Sequence, residues 1–140
     1  MKTSTNMTFM LVLFMFVIVV SPINAMGVSN ATPADSYASI DQAYGIYCGL
    51  SCTDRKNFRF CMNENNLKIV LDFGKNCAQQ IQFCLTTEEC CEVVCILRET
   101  SPDLYAQYLE CCTSATDAYS LSNPRTYPTL QECLENANKC

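Results

Sequence analysis

Two cysteine doublets, Cys90-Cys91 and Cys111-Cys112, lie inside stretches whose apolar spacing is helical. Neighbouring residues on an α-helix point about 100° apart, so the two thiols of a doublet must reach different partners. Such a chain is either cross-linked in several directions or gathers a metal. The compartment decides between these, because one cysteine pattern reads as a zinc site in the cytosol and as a disulfide framework outside the cell.

The N-terminus points outside. Met1 and Lys2 give a short positive start, Phe9 to Val20 is an unbroken apolar run, and Ser21-Pro22-Ile23-Asn24-Ala25 supplies small residues for cleavage. Residues 1–25 therefore read as a secretory signal peptide. The apolar run is too short for a membrane span, which needs about 20 residues. All 12 cysteines follow it: Cys48, Cys52, Cys61, Cys77, Cys84, Cys90, Cys91, Cys95, Cys111, Cys112, Cys133 and Cys140. The expectation is a secreted disulfide scaffold in which every one of them is bridged, the even count leaving no thiol over. Which cysteine pairs with which stays open.

The chain contains no His. Ser-His-Asp, Cys-His and most catalytic zinc sites are thereby removed together, and no glycine-rich phosphate loop replaces them. A thiolate zinc cluster at Cys90, Cys91 and Cys95 is the competing reading, set back by the oxidising export route. No enzyme activity and no cofactor are expected. After residue 25 there are eight Lys and Arg against fourteen Asp and Glu, a net charge of −6. Nucleic acid is not expected as a partner for such a surface.

Residues 26–47 hold neither cysteine nor Lys nor Arg and are rich in Ser, Ala, Asp and Tyr. They read as a flexible leader, with a glycosylation sequon at Asn30. From residue 48 to 140 a single disulfide-rich domain is expected, all-α, a small bundle of four to five short helices. Thr53 or Asp54 caps the first, with Phe58, Cys61 and Met62 inward and an end near Asn63 to Asn66. The second runs from Leu67 to Cys84 despite Gly74, with Cys77 and Cys84 on one side. Thr86 and Glu89 form a capping box that opens the third. Ser101-Pro102-Asp103 starts the fourth, with Tyr105, Tyr108, Leu109 and Cys112 inward. Thr129 and Glu132 make a second capping box for a short terminal helix.

Several of these elements in order resemble a known family. Cys52-Thr53-Asp54-Arg55 with Asn57, then Cys61, Cys77, Cys84, Cys90-Cys91, Cys95, Arg98 and Pro102 leading to Cys111, resemble the con-ikot-ikot conopeptides of cone-snail venoms. The likeness spans about Cys48 to Cys112. It implies a helical, disulfide-rich toxin that forms a homodimer and acts on AMPA-type ionotropic glutamate receptors, a membrane receptor of another organism. Arg55, Lys56, Phe58 and Arg59 are the expected receptor contacts, forming a basic patch on the first helix. The alternative function is a secreted carrier that encloses a lipid or small apolar ligand.

Overall fold

The computed structural model describes residues 33–139, and these are all-helical, as the apolar spacing predicts. The expected signal peptide of residues 1–25, the Asn30 sequon, residues 26–32 and Cys140 lie outside the described residues. Six helices follow one another: α1 Pro33–Gly49, α2 Cys52–Glu64, α3 Lys68–Gln79, α4 Thr87–Thr100, α5 Pro102–Ser120 and α6 Thr126–Asn136.

The first correction concerns α1. The expected flexible leader of residues 26–47 is helical from residue 33 onward, and it carries Ile40, Ala43 and Tyr47 into the core. Ile40, Ala43, Tyr44 and Tyr47 recur at the three- and four-residue steps of one helical face. Ile40 packs with Val94, Tyr108 and Leu109, whereas Ala43 and Tyr47 pack with Phe58, Met62, Leu130 and Leu134. One helix thus joins two halves of the core.

α2 begins two residues before the expected cap. Ser51 is the N-cap, its hydroxyl accepting from the Asp54 amide at 3.1 Å. The helix stops where expected, because Asn66 takes φ of 59°, a left-handed conformation that Asn tolerates better than most residues.

α3 ends at Gln79 rather than running on to Cys84. Cys84 is bonded to Cys90 in α4, six residues away, and that short closure requires the chain to leave the helix. The Gln79 side-chain amide donates to the Cys84 carbonyl at 2.9 Å and holds the departing chain. Cys77 stays on α3 and bonds Cys111 of α5, so the two cysteines do not share a helical side.

The capping box at α4 is present as predicted. The Glu89 amide donates to the Thr86 hydroxyl, and the Glu89 carboxylate accepts from the Thr86 and Leu85 amides. Those two amides hold the Glu89 carboxyl below its usual pKa. Pro102 opens α5 at its first turn, and Ser101 occupies the cap position without a side-chain bond. α6 opens four residues earlier than expected, with its cap at Arg125 instead of Thr129. Pro128 lacks an amide proton and suits a first turn, so the helix begins at Thr126, and Thr129 lies buried inside it instead of capping it.

α4 and α5 form a hairpin about Ser101, α3 packs on both, and α2 pairs with α6. Three bridges reinforce this: Cys48–Cys95 ties the end of α1 to α4, Cys61–Cys133 ties α2 to α6, and Cys77–Cys111 ties α3 to α5. Each helix is used once.

Gly74 of α3 is where the packing is tightest. A Cβ there would stand 3.0 Å from the Tyr108 hydroxyl and 3.2 Å from the Tyr44 hydroxyl, and these two buried hydroxyls are hydrogen-bonded to each other. Gly74→Ala gains helix propensity of about 0.5–1 kcal/mol but overpacks the core, at a cost of about 1–3 kcal/mol. The expected net result is a destabilisation of roughly 1–2 kcal/mol, read as a lower urea midpoint at unchanged slope.

Candidate functional site

Two places could carry chemistry or recognition: the thiols left inside the bundle, and the side chains left outside it. Inside, the doublets divide their work. Cys90 and Cys111 are bridged, while Cys91 and Cys112 turn inward and are unbonded. Cys52 on the surface of α2 is also unbonded. The expectation that all 12 cysteines are bridged is therefore corrected for Cys52, Cys91 and Cys112.

Cys91 and Cys112 line a central void of about 40 Å³ to which all six helices contribute, through Ile40, Met62, Val70, Cys91, Cys112 and Leu134. Burial pushes the Cys112 thiol up to about 11 and raises Cys91 as well. Burial likewise raises Tyr44 and Tyr108 far above the ordinary phenol value. These are protonated, inert thiols packed as small apolar groups. The zinc reading of Cys90, Cys91 and Cys95 fails on the same facts, since Cys90 and Cys95 are consumed by bridges. Among the described residues no group of three or more metal-ligating side chains is close enough to hold an ion.

Outside, the expected basic patch divides in two. Arg55 is spent on α1: its guanidinium donates to the Tyr47 and Cys48 carbonyls at 3.2 and 2.7 Å, pairs with Glu92 at 2.5 Å and lies over the Tyr47 ring. A cation on the last carbonyls of a helix offsets its negative end. Arg59 donates to the Tyr47 hydroxyl at 2.9 Å and pairs with Glu88 at 3.4 Å. Phe58 is buried against Tyr47, ring centroids 5.4 Å apart, which corrects its place among the receptor contacts. Phe60, two residues on, faces the opposite way and is 65% exposed. Only Lys56 of the expected four projects freely, and it lines an open cleft with Thr53, Arg59, Phe60, Asn63 and Glu88.

Sequence reasoning missed the most exposed apolar pair near that cleft. In the loop between α3 and α4, Cys84 points inward to its bridge, so Phe83 and Leu85 on either side of it point outward, 81% and 61% exposed. The alternation would have been visible in the sequence had Cys84 been known to leave the helix. The loop is held at three points: the Cys84–Cys90 bond, the Gln79 bond to Cys84, and the Glu89 bond to the Leu85 amide.

Comparison with protein families, with curated proteins and with solved structures gives no match. The four disulfides among the described residues are consistent with an oxidising compartment, and no helix among those residues is long and apolar enough to cross a membrane.

Two outcomes follow for the thiols. Iodoacetamide applied to the native protein without reductant is expected to label Cys52, and to label Cys91 and Cys112 only after denaturant is added; peptide mass mapping reads this. Cys112 keeps its proton to higher pH than an unfolded thiol, which titrates near pH ~8.5. Its contribution to stability is thus complete below that value and is lost as pH rises toward about 11. The urea midpoint should fall over this range, and Cys112→Ser should shallow the fall.

Proposed function

We propose that this protein is a secreted venom toxin that acts by binding the ectodomain of a membrane receptor, with AMPA-type glutamate receptors as the target. The single observation that carries binding over other activities is the loop bearing Phe83 and Leu85. Exposing two large apolar side chains costs solvation, and here three separate contacts fix them outward. A surface pre-ordered in this way lowers the entropy lost on association. The AMPA-type target comes from the con-ikot-ikot likeness of about Cys48 to Cys112, and so does the homodimer.

The carrier reading is the weaker one. The central void of about 40 Å³ is well below the roughly 150 Å³ that accommodates benzene in a protein interior, so an acyl chain has no room without opening the bundle. No fluorescent fatty acid is expected to bind at micromolar concentration.

The test is electrophysiological. Glutamate-gated currents from AMPA-type receptors are recorded with and without the oxidised, folded protein; a dose-dependent change in peak or decay is expected. Unaltered currents at the highest soluble dose sink the receptor reading.

A further inference from the structure

The receptor reading leaves open which part of the surface does the docking, and on that reading we infer that the Cys84–Cys90 loop is the anchor: Phe83 and Leu85 insert into an apolar crevice of the ectodomain, rimmed by a carboxylate that meets Lys56. Three features converge on this arrangement. Phe83 and Leu85 are convex and held, while the buried Cys84 between them fixes both directions. The cleft holding Lys56 and Phe60 opens beside the foot of the loop, since its Glu88 wall stands in the first turn of α4, three residues after Leu85. Within that cleft Arg59 is neutralised by Glu88, whereas Lys56 makes no ion pair among the described residues. An acidic molecule presents here a cation next to exposed apolar groups, which complements a carboxylate at the edge of an apolar crevice.

A second copy of the chain is a poorer occupant. Two projecting side chains need a concave apolar counterpart, and the central void, at about 40 Å³, is too small for a phenyl ring. A surface cleft between α2, α5 and α6 sets Leu67, Tyr119 and Pro124 among Asn65, Asn66, Asn123 and Arg125, a mixed lining that would leave amide and cationic groups unpaired against a phenyl ring.

The experiment compares half-maximal doses for the change in AMPA-type currents. Phe83→Ala/Leu85→Ala is expected to raise the dose by at least about 30-fold, as loss of a buried anchor does. Lys56→Glu should raise it about 10-fold. Cys84→Ser/Cys90→Ser keeps both anchors but frees the loop, and should raise it several-fold. Leu121→Ala, which truncates an equally exposed residue at the far end of α5, should match the unaltered protein. Circular dichroism and non-reducing mass confirm that the variants fold. An active parent with an unaffected Phe83→Ala/Leu85→Ala variant overturns the anchor alone. A parent inactive on the receptor overturns the receptor reading and the anchor with it. A doubled solution mass that is lost in Phe83→Ala/Leu85→Ala assigns the loop to contact between copies, and also overturns it.

Discussion

Three cross-links that pair six helices without repetition are the constraint on which this fold rests. Sequence separations of 47, 72 and 34 residues mean that each bond closes a long loop in the unfolded chain. Loops of that size are worth about 4 kcal/mol each in the chain-entropy view, so together they rival the whole stability of an ordinary small domain. The core can then be made of Ala, Cys, Thr and Tyr as much as of Leu and Ile. Tyrosines fill volume that branched aliphatics usually fill, and their hydroxyls are satisfied in pairs: Tyr44 with Tyr108, Tyr105 with Asp41, Tyr127 with Asp117.

The doublets show how a helix distributes sulfur. One member of each is taken outward to a neighbouring element, and the other is left to face the centre, where all six helices converge on a void of about 40 Å³. An even cysteine count gave no warning of this, because parity constrains numbers and not directions. Cys91 and Cys112 behave as buried apolar residues whose thiol protons are retained by burial.

Where the determinants are local, the sequence was readable. Thr86 and Glu89 specify the start of α4 within four residues, and Pro102 specifies that of α5, so both are found where the residues place them. Where a distant partner decides, it was not. The end of α3 depends on Cys84 reaching Cys90, and no spacing rule announces that choice. α1 was hidden by its composition: Ser, Ala, Asp and Tyr with no cysteine before Cys48 and no Lys or Arg suggest a loose segment, yet Ile40, Ala43, Tyr44 and Tyr47 carry a helical face that only packing against α5 and α6 makes worthwhile. At the candidate surface, two-residue spacing on a helix separated Phe58 from Phe60, and the arginines expected to face a receptor are instead bound to Tyr47, Glu88 and Glu92.

The pairing of α1 with α4, α2 with α6 and α3 with α5 has a topological corollary. Every connection between successive described helices is spanned by at least one of these bonds. A protease that nicks the backbone once in any of those turns therefore releases no fragment; the two pieces stay covalently joined and remain packed. The wiring of sulfur makes a single backbone cut in any of those turns survivable.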